Sequence, residues 1–252
     1  MTTLIYDGSF EGLLTAVFEI YERKLGAVKI RRGEWREQAL FEDVLQIVTN
    51  DTKSNRVLKG LRGKMSTLGL HRLYCAHMAG MEAEDGAIVG FIRYAFDSPV
   101  SVEEDYSNRY IMRVSEIVRI VRREKHRMEA FVRFQRLSDG IFYAAIEPDV
   151  NVLPLLIRHF KSRYADQKWV IYDIRRHYGI YYDLHDTQFI EFDFVNSKQA
   201  PQVAGAYAGD EALYQGLWKN YFHSVNIRER KNTRLHLRHI PKRYWRYLTE
   251  KI

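Results

Sequence analysis

The hydrophobic pattern of the chain changes its period near residue 128. Before that point apolar side chains recur three and four residues apart, which is the spacing of one helix face. The clearest such run is Tyr110, Ile111, Val114, Ile117, Val118 and Val121. After that point short segments alternate apolar and polar residues in the way that strands do. The predicted strands are 128–134, 141–146, 169–173, 179–182 and 188–194, with a helix that opens at Pro148 and Asp149 between the second and the third.

This change of period predicts an α+β fold. We expect a helical N-terminal half, an antiparallel sheet of ββαβββ outline with one helix packed on it, and a basic helical C-terminus whose last helix starts at Pro241. In the N-terminal half the pattern predicts a first helix capped by Asp7 or Ser9, because a side-chain oxygen there can accept from the first turn. A short strand is expected at 27–31 and a second helix at 40–48.

The positive charge of the chain is concentrated in two segments. The whole chain carries a net charge of +7, but residues 109–136 carry +6 and residues 212–252 carry +8, so the remainder is acidic. Clustered basic residues predict a polyanionic partner, and the alternative is a helix face that is merely solvated. We assign residues 1–84 to a helical N-terminal region and residues 85–252 to an α+β domain that ends in the basic segment 212–252.

Lysine and arginine on one face neutralise phosphates and release counterions, so both basic segments supply candidate DNA-binding residues. In the first segment the candidates are Arg109, Arg113, Arg119, Arg122, Arg123, Lys125, His126, Arg127 and Arg133. In the second they are Arg228, Arg230, Lys231, Arg234, Arg238, Lys242, Arg243 and Arg246. On the predicted strand 128–134, Arg133 shares a face with Phe131, and such a pair suits base stacking in single strands. The alternative is that Phe131 and Phe134 are buried in the core.

Cys75 is the only cysteine. A single cysteine excludes an intrachain disulfide and fits a reducing cytoplasm. It also excludes an iron–sulfur cluster held by this chain alone, since such a cluster takes three or four thiolates. No apolar run approaches the roughly 20 residues of a membrane helix, and the first residues lack the features of a signal peptide. We therefore expect a cytoplasmic protein that does not bind membranes.

Three stretches of the chain carry a family resemblance. They are YDGSFEGLL at 6–14, HRMEAFVRF at 126–134, and a C-terminal set at 217–222, 226–232 and 241–245. On these motifs the chain resembles the bacterial "probable DNA metabolism protein" family, whose members are also called DNA repair proteins. From about residue 85 onward it is similar to a domain of unknown function that precedes uracil-DNA glycosylase domains in other bacteria.

The resemblance implies a DNA-repair context and two partner proteins. One is the DNA repair radical S-adenosylmethionine protein that accompanies members of the family, and the other candidate is a uracil-DNA glycosylase. We expect no glycosylase domain within these 252 residues. Because the chain has one cysteine, any radical S-adenosylmethionine step is expected on the partner.

Four residues are candidates for a catalytic site if the chain is an enzyme, namely Asp149, His159, Asp173 and His177. Asp149 and His159 would suit a glycosylase-like site, in which such groups act near the sugar of a flipped base. Asp173 and His177 belong to a looser cluster at a predicted hairpin, where converging carboxylates would suit a metal-dependent nuclease. The other members of this cluster are Asp183, His185 and Asp186. The alternatives are a plain helix cap at Asp149 and a polar hairpin tip.

We expect neither a structural metal nor a cofactor. His71 and Cys75 share one face of a predicted helix, but His77 falls off that face, and zinc needs three or four convergent ligands. The leading hypothesis is a DNA-binding accessory protein of a bacterial repair or modification system, which presents DNA to a separate catalytic partner. Two alternatives stay open: an enzyme that processes DNA lesions, and a protein adaptor for the radical S-adenosylmethionine partner.

Overall fold

The structure is a computed structural model that describes residues 1–33, 43–81, 84–191, 211, 215, 217 and 240–251. The fold is α+β, as the sequence predicts. The chain divides into two compact units, Met1–Arg122 and Arg123–Ile252. The division near residue 84 that the sequence suggests stays a prediction.

The first unit contains a parallel sheet and the helices that follow it. Its strands are β1 (Thr2–Tyr6), β2 (Val28–Arg32) and β3 (Val44–Gln46), and its helices are α1 (Phe10–Glu22), α2 (Asp51–Arg62), α3 (Thr67–Met78) and α4 (Asp85–Asp97). The strand order is β2-β1-β3, with β1 parallel to both neighbours. Ser9 is the N-cap of α1 and accepts a hydrogen bond from the Gly12 amide, which confirms one of the two predicted caps.

This sheet corrects one sequence-based expectation and confirms another. The predicted helix at 40–48 is wrong over Val44–Gln46, because that segment pairs with β1. The Thr3 amide donates to the Asp43 carbonyl, and the Ile47 amide donates to the Ile5 carbonyl. The apolar spacing of this short run fits a helix and a strand equally, and the free edge of β1 decides between them. The predicted strand at 27–31 is confirmed as β2, shifted by one residue.

Helix α5 (Arg109–Phe131) begins in the first unit and ends in the second. Its predicted apolar stripe is confirmed, since Tyr110 is half-buried and the other five residues, Ile111, Val114, Ile117, Val118 and Val121, are buried. The predicted strand at 128–134 is wrong, because α5 continues to Phe131. Met128 lies seven residues after Val121 and is buried too, so the helical stripe continues through a segment whose alternation imitates a strand.

The second unit contains a five-stranded sheet and one crossover helix. Its elements are β4 (Gln135–Arg136), β5 (Phe142–Ile146), α6 (Leu153–Arg163), β6 (Trp169–Asp173), β7 (Tyr178–Tyr182) and β8 (Thr187–Glu191). This order confirms the ββαβββ outline, although its first strand is Gln135–Arg136 and not the predicted 128–134, and the strands lie side by side in sequence order. The sheet is not antiparallel throughout, since β5 and β6 are parallel. Helix α6 joins these two strands. A helical crossover of this kind brings the chain back to the end of the sheet where β5 began, so that β6 can run parallel to β5.

The basic segment 212–252 is described only in part. Pro241 precedes a 3₁₀ helix, Lys242–Tyr247, where an α-helix was expected, and a second short one follows at Thr249–Lys251. Among the residues that the structure describes, no helix is both long enough and apolar enough to span a bilayer.

Candidate nucleic-acid interface

Four predicted DNA-binding residues form an exposed row along α5, which we call the basic stripe: Arg119, Arg122, Arg123 and His126. Their spacing of three, four and seven residues places them on one helix face. None of the four makes an ion pair with another described residue. The stripe lies off the buried face of α5 that Val118 and Val121 belong to. Its guanidinium groups are therefore available to an external anion.

Other cations of α5 are already engaged by carboxylates. Arg113 donates to Glu84 and, at 2.8 Å, to Glu116. The hydrogen bonds from Arg113 to Glu84 raise the pKa of that guanidinium further above its ordinary value. Lys125 pairs with Glu129, and Arg127 lies 3.3 Å from Glu124. These three predicted DNA contacts thus carry internal counterions that the basic stripe lacks.

The two ends of the first basic segment have local roles. The exposed Arg109 donates to the Tyr110 hydroxyl at 2.6 Å, and its guanidinium lies 4.6 Å from the centre of that ring. Arg133 donates to the carbonyls of Ala130 and Val132, at 2.8 and 3.2 Å. It therefore binds carbonyls at the C-terminal end of α5, and the strand face that it was expected to share with Phe131 does not exist.

Glu124 of α5 is a buried hub, with a side chain that is almost inaccessible to solvent. Its carboxylate accepts from the Asp149 amide at 2.9 Å and from the Tyr244 hydroxyl. Burial raises the pKa of Tyr244, and the adjacent Glu124 raises it further, so the phenol stays a donor. Arg243 pairs with Asp149 at 2.5 Å. Asp149, a candidate catalytic residue, is thus an ion-pair partner beside the hub, and the cap position of α6 belongs to Val152.

The remaining predicted C-terminal contacts divide into three groups. Arg246 pairs with Glu147, so it resembles the neutralised cations of α5. Lys242 is exposed and has no partner among the described residues. Arg228, Arg230, Lys231, Arg234 and Arg238 lie outside the described residues.

The second unit contains a cavity of about 940 Å³ between the C-terminal end of α5, β5 and α6. Four aromatic rings line it, those of Phe134, Phe142, Phe160 and Tyr164. Three arginines line it as well, Arg133, Arg136 and Arg163, together with the carboxylates of Glu129 and Glu211. A cavity of this size lies in the range that binds small molecules or single nucleotides, roughly 300–1,000 Å³.

His159, a candidate catalytic residue, lines this cavity. Its Nδ1 lies 3.7 Å from a carboxylate oxygen of Glu129, which also accepts from Lys125. The ring packs edge-on against Phe160, with 4.9 Å between the ring centres. The structure thus gives His159 and Asp149 different partners, Glu129 for His159 and Arg243 for Asp149.

Asp173 and His177 share the turn between β6 and β7 but face different surroundings. The Asp173 carboxylate is fully buried and accepts from Arg176 at 2.8 Å and from the Arg175 amide at 3.0 Å. Burial raises the pKa of Asp173 above its ordinary value, although the Arg176 bonds oppose the shift. His177 is exposed and has a φ of 59°.

The rest of the predicted acidic cluster stabilises a loop. Asp183 accepts from the backbone amides of His185 and Asp186, at 2.8 and 2.7 Å. Across the parts of the chain that the structure describes, no three histidine, cysteine or acidic side chains converge as a metal site would require. On α3, His71 Nε2 and Cys75 Sγ lie 3.3 Å apart, and His77 points elsewhere, as the spacing predicts.

A buried polar cluster in the first unit was not anticipated from the sequence. Arg32 donates to both carboxylate oxygens of Asp85, at 2.6 and 2.7 Å, and the Tyr6 hydroxyl donates to the same group at 2.7 Å. Burial alone would raise the pKa of Asp85, but the bonds from Arg32 and Tyr6 outweigh it and hold the pKa below its ordinary value. Burial raises the pKa of Tyr6 strongly, so its hydroxyl remains a donor.

His77 connects this cluster to the loop between β1 and α1. Its Nδ1 lies 3.2 Å from Arg32 Nη2, and its Nε2 lies 3.1 Å from the Gly8 carbonyl. Because a guanidinium can only donate, His77 Nδ1 must accept the hydrogen bond from Arg32. The ring hydrogen is therefore on Nε2, which donates to the Gly8 carbonyl. Gly8 has a φ of 86°, a left-handed conformation that favours glycine. The motif YDGSFEGLL at 6–14 contains Tyr6 and Gly8, so it was the one sequence signal that pointed to this cluster.

Comparison with models of known protein families places most of the chain in one family. A family model described as a domain of unknown function, DUF4130, matches residues 82–250, which is more than half of the chain. The matched range includes α5, the cavity and Asp85, and it leaves out Tyr6, Arg32 and His77. No curated protein matches the chain.

Proposed function

The chain belongs to the DUF4130 family of domains of unknown function, and we propose that it is a DNA-binding accessory protein of a bacterial repair or modification system. In this role it grips the phosphates of DNA and presents the strand to a separate catalytic chain. The radical S-adenosylmethionine protein implied by the family resemblance is the first candidate for that chain, and a uracil-DNA glycosylase is the second.

The basic stripe of α5 is the observation that supports this proposal. Arg119, Arg122 and Arg123 are exposed and have no carboxylate partner among the described residues, whereas Arg113, Lys125 and Arg127 of the same helix do. Unpaired guanidinium groups repel one another, and a phosphate backbone relieves that repulsion. Three arginines at helical spacing are therefore arranged for an extended polyanion rather than for internal pairing.

Fluorescence anisotropy with labelled duplex and single-stranded DNA tests the proposal. Replacing the stripe by Arg119→Gln, Arg122→Gln and Arg123→Gln together is expected to weaken binding at least about tenfold near 100 mM salt. The matched control is Lys29→Gln, Lys59→Gln and Arg62→Gln, which removes the same charge from exposed residues of the first unit outside α5. Equal loss in both triple variants would mean that net charge, and not the stripe, drives binding.

An enzyme that processes DNA lesions is the second candidate function. The observation in its favour is His159, which lines the cavity with Glu129 3.7 Å from its Nδ1. An imidazole beside a carboxylate can transfer a proton in general acid–base catalysis. Incision or base release from damaged DNA that is lost in His159→Asn, with DNA binding retained, would support this candidate.

A further inference from the structure

We propose that the cavity of the second unit receives one unstacked nucleobase of a DNA strand. The proposal rests on DNA binding as the function, and it adds the part of the DNA that is recognised. The basic stripe would bind the phosphate backbone of the DNA whatever its bases are. The cavity would bind only where a base is present. Its support comes from the rings, the cations and the polar groups that line the cavity.

Three of the four rings of the cavity, Phe134, Phe160 and Tyr164, pack against one another. Phe134 packs edge-on against Phe160 and Tyr164, with ring centres 5.7 and 5.2 Å apart. Phe160 is buried, whereas Phe134, Phe142 and Tyr164 keep part of their surface accessible. A base stacks on accessible, pre-oriented aromatic faces with little loss of side-chain freedom.

One exposed cation at the cavity, Arg163, matches the phosphate that accompanies a base. The exposed guanidinium of Arg163 lies 5.8 Å from the Tyr164 ring centre, so one charge sits beside one stacking surface. Both lining carboxylates already have donors, since Lys125 donates to Glu129 and the Arg136 amide donates to Glu211 at 2.9 Å. Charge and ring together suit a nucleotide better than they suit an apolar ligand, which would desolvate these ions without replacing their hydrogen bonds.

Polar side chains at the cavity wall can bind the edge of a base. Gln167 offers an amide with two donors and an acceptor, and His159 adds a ring nitrogen. Gln215 donates to Glu211 at 3.2 Å and keeps its amide oxygen as an acceptor. Proteins that take a base out of the stack combine such edge contacts with aromatic packing. The cavity of about 940 Å³ has room for a nucleotide together with bridging water.

The test compares two labelled single strands of equal length and charge, oligothymidylate and an abasic tetrahydrofuran strand, with the full chain. The cavity predicts that the wild-type protein binds oligothymidylate at least about fivefold more tightly than the abasic strand. Tyr164→Ala and Phe142→Ala are expected to remove this preference, and Tyr164→Phe is expected to keep it because the ring remains. The stripe triple variant should weaken both strands and keep their ratio.

The outcomes separate the two proposals. Equal wild-type affinity for the two strands, or binding to duplex DNA alone, would overturn the cavity proposal and leave DNA binding intact, whereas no binding to either strand or to duplex DNA would overturn both. The strand comparison needs no substitution, so it stands even if Phe142→Ala, which alters β5, does not fold. Circular dichroism melting of each variant shows which of them are folded, and a folded Tyr164→Ala that keeps the preference would also contradict the cavity.

Discussion

The guanidinium of Arg32 binds both oxygens of the Asp85 carboxylate, at 2.6 and 2.7 Å, where Asp85 has no solvent exposure. Arg32 closes β2, and Asp85 opens α4. The pair therefore joins the parallel sheet of the first unit to a helix that is 53 residues away along the chain. Breaking a buried pair from one side leaves the other charge uncompensated.

Replacing Arg32 by methionine is expected to lower the free energy of unfolding by about 3–5 kcal/mol, because Asp85 would remain buried without its counterion. Urea denaturation followed by circular dichroism measures this loss. The adjacent Arg31 is exposed on the same strand, so Arg31→Met is the matched control and should cost no more than about 0.5 kcal/mol. Similar losses in the two variants would contradict the account of Asp85.

The lowered pKa of Asp85 predicts a loss of stability in acid. A carboxyl that binds protons less readily in the folded state contributes its stability above the unfolded value, about 3.9, and loses it as pH falls through the lower folded value. The difference in unfolding free energy between wild type and Asp85→Asn should therefore be full at pH 7 and shrink below about pH 4. If the difference in unfolding free energy between the two proteins instead grew as pH fell, the lowered pKa of Asp85 would be contradicted.

Asp173 is expected to respond with the opposite sign, because burial raises its pKa. Its folded form binds a proton more readily than the unfolded chain does, so ionisation weakens the fold as pH rises from about 3.9 to the higher folded value. Relative to Asp173→Asn, the wild-type protein should lose stability across that interval. Paired denaturation curves at closely spaced pH values measure this, and a gain of stability with rising pH would contradict it.

The buried Glu124 predicts that one hydroxyl of the C-terminal 3₁₀ helix matters more than its neighbour. Tyr244→Phe removes a donor to Glu124, which is 2 % exposed, and should cost about 1.5–3 kcal/mol as a lost hydrogen bond to a charged group. Tyr247→Phe removes a donor to Glu147, whose side chain is 31 % exposed, so water can replace the lost bond and the cost should be smaller. Thermal melting of the two variants would refute the hub if Tyr247→Phe proved the more damaging.

Local pattern in the sequence was sufficient for several elements of this fold. The period of 3.6 identified α5 through its buried stripe, and alternation identified β5, β6 and β7. The predicted helix start at Pro148 and Asp149 was too early, since α6 begins at Leu153. The same local rules wrongly predicted a strand at 128–134. The residues there alternate as in a strand, but Met128 also continues the buried stripe of α5, and the segment is helical as far as Phe131. Strand β3 was mistaken for a helix because its pairing partner, β1, lies some forty residues earlier.

The functional surface was less accessible to sequence reasoning, since partners across the fold decide it. The pairing of Lys125 with Glu129 is visible in the sequence as a spacing of four residues. The pairing of Arg113 with Glu84 is not, because 29 residues separate them. Only the folded structure therefore divides the arginines of α5 into a neutralised set and the basic stripe, and only it brings Tyr6, Arg32, His77 and Asp85 into one cluster.

The salt dependence of DNA binding tests the central claim most directly. Each phosphate contact contributes about 0.9 to the slope of log Kd against log salt on duplex DNA, so three contacts contribute about 2.7. The slope of the wild-type protein should therefore exceed that of the Arg119→Gln, Arg122→Gln, Arg123→Gln variant by about 2.7, and the Lys29→Gln, Lys59→Gln, Arg62→Gln control should keep the wild-type slope. Equal slopes for the wild-type protein and the stripe variant would contradict the claim that α5 grips DNA.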